Sequence, residues 1–149
     1  MYKHILVPTD GSTLSDKAVE AAITLAKLAG ARITAFHAVE PYPLQGAYAA
    51  EASGVAELQP EVFAERSEEY AKRVLDAVAS AAAAAKVECT TDYATSRSAS
   101  QAIVEKARKD NCDLIVMASH GRRGLEGFLL GSETQKVLTH STIPVLVYR

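Results

Sequence analysis

The stretch Leu114-Ile115-Val116-Met117-Ala118-Ser119-His120-Gly121 is an apolar run that leads directly into a polar turn and a glycine. A short, continuous apolar run of this kind is typical of a strand that is buried on both faces of a parallel sheet. Ile5-Leu6-Val7 has the same character near the start of the chain, and it also ends in a turn, Pro8-Thr9-Asp10-Gly11-Ser12. Two strands of this type indicate an α/β protein whose sheet is covered on both faces.

The rest of the chain alternates between helical and strand patterns. Apolar residues at helical spacing predict a first helix that ends at Gly30, and alanine-rich sequence predicts a long helix over 61–85. Ser98 is expected to cap a third helix and Ser132 a fourth, and further strands are predicted over 32–39, 87–94 and 143–148. The order β-α-β-α-β-α-β-α-β predicts one domain over residues 1–149, with an open, doubly wound, five-stranded parallel sheet of Rossmann-like type.

Residues 40–60 interrupt this alternation with three prolines and two glycines. A loop of this length in a compact domain is usually functional or mobile, so the segment is a candidate lid over a ligand. Its role stays open at this stage, because no motif within it points to a particular chemistry.

Composition excludes several classes of function. The net charge is −2 and no basic run is interleaved with aromatic residues, so we expect no nucleic-acid or membrane-surface partner. No apolar stretch reaches the ~20 residues of a membrane span, and the first apolar run stops at Pro8, too early for a signal peptide. The chain is therefore expected to be cytoplasmic. Cys89 and Cys112 lie far apart without a CxxC pattern, which favours buried, reduced thiols over a metal site.

The loop after the fourth predicted strand concentrates glycines: Gly121, Gly124, Gly127 and Gly131 are half of the chain's eight. Gly131-Ser132 opens a helix, and the unpaired amides and dipole of a helix N-terminus form a phosphate site. Arg122 and Arg123 add positive charge. The loop matches neither the P-loop nor the dinucleotide fingerprint, and a flexible turn in which Ser132 only caps its own helix is the alternative interpretation.

These motifs together resemble the universal stress protein family. The resemblance lies in Pro8-Thr9-Asp10-Gly11-Ser12, in Met117-Ala118-Ser119-His120-Gly121 and in the closing Ile143-Pro144-Val145-Leu146-Val147, and it spans the whole chain. The ATP-binding branch of that family carries the pattern G-x2-G-x9-G-[S/T]. Here Gly121 is the second glycine and Gly131-Ser132 completes the pattern, whereas Ala118 stands in place of the first glycine.

The resemblance implies a fold of the adenine nucleotide alpha hydrolase type and a stress-response protein that binds ATP, ADP or AMP, with Mg²⁺ accompanying the phosphates. In the family, the aspartate matching Asp10 contacts the nucleoside, the backbone around Ala38 and Val39 faces the adenine, and Ser132 helps to hold the phosphates. Family members commonly form homodimers through the last strand. The nucleotide site implied in this way comprises Pro8, Thr9, Asp10, Ala38, Val39, Met117, Ala118, His120, Gly121, Arg122, Arg123, Gly124, Gly131, Ser132 and Glu133.

The chemistry of single residues leaves alternatives open at several of these positions. Asp10 can accept hydrogen bonds from both ribose hydroxyls, or it can be the N-cap of the first helix. His120 can bind a phosphate or ribose, or hold the loop. Glu133 can hold a metal through water, or complement the helix dipole. Ala118 would be strained if its position required a positive φ, but an alanine serves if the position needs only a small residue. We expect the second case, because strand conformation should continue through Ala118.

We assign no catalytic residue, and we expect a regulatory protein rather than a rapid enzyme. Ser12 and Ser119 lack the context of a nucleophile. Two alternatives stay open. A slow ATPase would need a metal site and a group that orients the attacking water. A dimeric interaction module that no longer binds nucleotide would explain the substitution at Ala118, and the apolar residues Val145 and Val147 form an edge that invites pairing with another chain.

Overall fold

The structure, a computed structural model, describes residues 1–43, 52–54, 59–121 and 130–149. Its sheet has five parallel strands in the order β3-β2-β1-β4-β5, which confirms the predicted fold class. The strands are β1 His4–Pro8, β2 Arg32–Val39, β3 Cys89–Thr95, β4 Leu114–Ala118 and β5 Val145–Tyr148. The helices between them are α1 Thr13–Ala29, α2 Pro60–Ala84, α3 Ala99–Lys109 and α4 Ser132–His140.

Local hydrogen bonds set most helix ends as predicted. Gly30 ends α1 in the left-handed conformation, with φ of 63°. The Ser98 hydroxyl caps α3 by accepting the Gln101 amide at 3.3 Å. The prediction that Ser132 caps α4 is wrong: Gly131 is the N-cap and Ser132 is the first helical residue. The first turn of α4 therefore has no side-chain cap of its own.

Two strands begin later than predicted, for reasons that lie in the preceding turns. The Val87 amide donates to Ala82 at the end of α2, so it cannot join the sheet, and β3 starts at Cys89. The Ile143 amide donates to the Ser141 hydroxyl at 3.0 Å, so β5 starts only at Val145.

The core has two layers because successive side chains of a strand point to opposite faces. Ile5 and Val7 of β1 pack with α1 and α2, whereas Leu6 packs with α3 and α4. Cys112 belongs to the second layer, where burial, together with Asp110 and Asp113, raises the pKa of its thiol to about 12. This cysteine is therefore an unreactive core residue. None of the helices in the described ranges is long and apolar enough to span a bilayer.

A crevice opens between β1 and β4, where the strand order reverses. These strands pair only at Ile5–Leu114 and Leu6–Ile115, although β4 continues to Ala118. Pro8 ends β1, and a proline has no N–H to extend the ladder toward β4. The two strands therefore separate at their carboxyl ends, which is where doubly wound sheets bind ligands.

Candidate functional site

A cavity of about 750 Å³ occupies this crevice, a size within the ~300–1,000 Å³ range of ligand pockets. Every predicted binding residue that the structure describes lines it: Pro8, Thr9, Asp10, Ala38, Val39, Met117, Ala118, His120, Gly121, Gly131, Ser132 and Glu133. The remaining predicted residues, Arg122, Arg123 and Gly124, lie outside the described residues. The fold thus brings predicted residues from four separate chain segments to one place.

The Asp10 carboxylate lies directly against Gly121. A Cβ atom placed on Gly121 would overlap Asp10 Oδ2, so the two segments approach more closely than a side chain at position 121 would permit. Asp10 Oδ1 accepts the Ser12 amide at 3.0 Å. Ser12, and not Asp10, is the N-cap of α1, because its hydroxyl accepts the Ser15 amide at 3.2 Å. The N-cap interpretation of Asp10 is therefore wrong, and its carboxylate borders the cavity.

The N-terminus of α4 also faces the cavity. Its first helical hydrogen bond runs from the Gln135 amide to the Gly131 carbonyl at 3.0 Å, so the amides of Ser132, Glu133 and Thr134 are the orphan donors of the first turn. The Gly131 amide instead donates to the Ser119 carbonyl at 2.8 Å. The sequence pattern predicted that the Gly131 amide would donate to a phosphate, and this prediction is wrong because the amide is already engaged. The available amides begin one residue later, at Ser132.

The backbone of β2 continues past the end of β1, and Ala38 lines the cavity there. The Thr9 amide donates to Phe36 O, which faces β1, and the Ser96 amide donates to Val39 O, which faces β3. Because backbone groups alternate between the two sides of a strand, Ala38 presents its N–H and C=O toward β1, beyond the last pair Pro8–Phe36. The expectation that the Val39 backbone faces the base is therefore wrong, and its buried side chain forms an apolar wall instead.

Ala118 and His120 sit at the other side of the cavity. Ala118 is the last residue of β4, paired with Tyr148, and its φ is not positive, so the expected strand conformation is confirmed. Its carbonyl accepts the Thr134 hydroxyl at 3.1 Å, which ties β4 to α4. His120 Nδ1 is hydrogen-bonded to the Ser119 hydroxyl at 3.1 Å, so one ring nitrogen holds the loop while the side chain lines the cavity.

Glu133 has both carboxylate oxygens engaged within the protein. Oε2 accepts the Ser100 amide at 2.7 Å, and Oε1 pairs with Lys136 Nζ at 2.7 Å. Burial alone would raise the pKa of Glu133, but the hydrogen bonds from Lys136 and Ser100 outweigh it and the pKa is lowered. The carboxylate thus caps α3, the helix beside its own. The described residues contain no cluster of three or more His, Cys, Asp or Glu side chains that could hold a metal.

Comparison with known proteins shows which family this chain belongs to. The family described as "Universal stress protein family" matches residues 1–149 of the chain. The chain belongs to the universal stress protein family. Universal stress protein MJ0531 of Methanocaldococcus jannaschii is 37% identical over 149 residues, covering 100% of this chain and 83% of that protein.

Solved structures of other universal stress proteins have the same fold. UspA of Lactobacillus plantarum superposes with a TM-score of 0.80 at 25% identity, covering 99% of this chain and 98% of that one. A universal stress protein solved in complex with cAMP superposes with a TM-score of 0.71 at 25% identity, covering 99% and 97% of the two chains.

Sequence reasoning missed one wall of the cavity in this universal stress protein. That wall comes from the end of β2, the first half of α2 and the start of α3, and it includes His37, Glu40, Phe63, Arg66, Ser67, Tyr70, Ser96, Arg97 and Ile103. His37 is buried, and its Nδ1 is hydrogen-bonded to Thr9 O at 2.8 Å. No local motif marks these residues, because they reach the cavity only through packing of distant segments.

Proposed function

We propose that this universal stress protein binds an adenine nucleotide in the cavity at the carboxyl ends of β1, β2 and β4. The observation that carries the proposal is the Asp10 carboxylate packed against Gly121, in the same cavity that Ala38 and the first turn of α4 line. A carboxylate in this position suits the ribose hydroxyls. The base then lies toward Ala38, and the phosphates lie toward Ser132.

The base side has the groups that adenine requires. Adenine offers a donor and an acceptor on one edge, and the adjacent N–H and C=O of Ala38 form the complementary pair. Pro8, Val39 and Met117 add apolar wall around that position. The cAMP complex of a related universal stress protein supports this class of ligand, since cAMP is an adenine nucleotide.

The phosphate side combines orphan amides with the positive end of a helix dipole. The amides of Ser132, Glu133 and Thr134 are the donors. We keep Arg122, Arg123 and Gly124 in the proposed site from the sequence pattern alone. Since the described side chains form no metal cluster, an accompanying Mg²⁺ would be bound mainly through the phosphates themselves.

We propose a regulatory role in the cytoplasmic stress response rather than rapid turnover. Both oxygens of Glu133 are occupied by Ser100 and Lys136, and Asp10 Oδ1 is occupied by the Ser12 amide. Glu133 thereby fixes the start of α3, and Asp10 is assigned to the ribose hydroxyls. Neither carboxylate is then left to orient a water for attack on a phosphate.

Calorimetric titration with AMP, ADP and ATP tests the proposed function. We expect sub-millimolar binding by the natural protein, and Asp10→Asn should weaken binding of all three by about 10-fold to 100-fold, because a charged acceptor is lost from the ribose. Asp16→Asn is the matched control, since Asp16 is exposed on α1 and away from the cavity. Dissociation constants above millimolar for all three nucleotides would refute the proposal.

We also propose a homodimer formed through β5, which lies at one edge of the sheet. The Ile115 amide donates to Pro144 O and the Ser119 amide to Tyr148 O, so the even-numbered residues of this strand face β4. The N–H groups of Val145 and Val147 therefore point outward, where a second chain can pair with them.

Val147→Pro should convert a dimer into a folded monomer, because it removes an outward N–H without breaking a bond to β4. Val147→Thr keeps that N–H and should stay dimeric. Molar mass measured by light scattering after size-exclusion chromatography distinguishes the two. A monomeric natural protein, or a Val147→Pro variant that remains a dimer, would show that the interface lies elsewhere.

A further inference from the structure

The turn that carries Asp10 is held by distant residues as well as by its own hydrogen bonds. Within the turn, the Gly11 amide donates to Thr9 Oγ1 at 3.2 Å, and the Ser12 amide donates to Asp10 Oδ1 at 3.0 Å. The carbonyls of Thr9 and Asp10 point out of the turn. His37 of β2 binds the first at 2.8 Å, and the Tyr70 hydroxyl of α2 donates to the second at 2.7 Å.

Tyr70 is itself held on several sides. Its ring packs against the buried His37 ring, with 5.6 Å between centroids and an angle of 59°. The Arg73 guanidinium lies over the Tyr70 ring, 5.1 Å from its centroid. Gly11 approaches so closely that an added Cβ would lie 2.6 Å from the Tyr70 hydroxyl oxygen. The Tyr70 hydroxyl therefore has a defined position, and its hydrogen bond to the Asp10 carbonyl fixes where that carbonyl lies.

We propose that Tyr70 is a positioning residue for Asp10. By binding the Asp10 carbonyl, it sets the orientation of that residue's backbone, and so directs the carboxylate against Gly121. The inference rests on the proposed function for the statement that the carboxylate then receives a ribose. It also means that Tyr70, one of the α2 residues that line the cavity, acts on the nucleotide site through the backbone of Asp10 as well.

A double-mutant cycle separates positioning from general stabilisation. Tyr70→Phe removes only the hydroxyl, and in the natural background it should weaken AMP binding about 5-fold, the size expected for one neutral hydrogen bond. In an Asp10→Asn background, Tyr70→Phe should cause less than half of that 5-fold loss of AMP affinity. Tyr70 would act on binding through the Asp10 carboxylate, which this background lacks. Tyr93→Phe, on β3, is the matched control and should leave the AMP dissociation constant unchanged.

A second measurement needs no ligand. Amide hydrogen exchange at Gly11 and Ser12 should be about 5-fold faster in Tyr70→Phe than in the natural protein, and unchanged in Tyr93→Phe. If the natural protein fails to bind AMP while exchange behaves as expected, the proposed function fails and the positioning of Asp10 stands. Unchanged exchange in Tyr70→Phe, or an equal loss of AMP affinity in both backgrounds of the cycle, would overturn the inference.

Discussion

Gly121→Ala should weaken adenine-nucleotide binding by about 100-fold, the upper end of the loss expected when a charged hydrogen-bond acceptor is displaced from the ribose. The new Cβ would overlap Asp10 Oδ2, so the carboxylate must leave the position in which we propose that it binds ribose. The protein should remain folded, because Gly121 is exposed and lies outside the core. Calorimetric titration with AMP measures the affinity, and thermal unfolding confirms the fold.

Gly30→Ala serves as the control for this result. Gly30 lies at the end of α1, and nothing is within 4 Å of an added Cβ, so nucleotide binding should be unchanged. A Gly121→Ala variant that binds AMP as tightly as the natural protein would show that the Asp10 carboxylate is dispensable at this position. The proposed ribose contact would then have to be abandoned.

Gly11→Ala should lower the free energy of unfolding by about 3–4 kcal/mol, the sum of a left-handed backbone and an overpacked contact. Gly11 has φ of +74°, and a Cβ there would lie 2.6 Å from the Tyr70 hydroxyl and 2.8 Å from Val74 Cγ2. Urea unfolding, followed by circular dichroism, measures the difference from the natural protein.

Gly30→Ala is the matched comparison for stability as well. Its φ of +63° is similar, but its added Cβ has no neighbour, so only the backbone contribution of about 1–2 kcal/mol should appear. The excess cost at position 11 then measures the contact with Tyr70 and Val74. Equal losses in the two variants would mean that this contact relaxes freely, and that Tyr70 does not constrain the turn.

Much of this architecture could be predicted because it depends on residues close together in the chain. The apolar runs at Ile5–Val7 and Leu114–Ala118 predicted buried parallel strands, and both are present. Gly30 and Ser98 predicted helix ends, because a left-handed residue and a hydroxyl cap act within one helical turn. The parallel order then implied that the loops after β1 and β4 would meet at the carboxyl ends.

Two of the errors at the site have the same kind of cause. The Gly131 amide was expected to be a phosphate donor, but the Ser119 carbonyl, which precedes the loop, accepts it. Gly131 is therefore the N-cap of α4, the role expected of Ser132. Val39 lost its expected role because Ser96, which follows β3, takes its carbonyl. In each case the deciding partner comes from another segment. No spacing within a motif carries that information.

The amino-acid sequence alone determined the alternation of strands and helices, the family and the neighbourhood of the site, because periodicity, caps and turns are short-range properties. Only the tertiary structure decided which groups in that neighbourhood are already engaged. Tyr70 reaches Asp10 across 60 residues, and Glu133 reaches Ser100 across 33. Hydrogen bonds of this range follow from strand order and the packing of helices on the sheet, which place distant residues within 3 Å of each other.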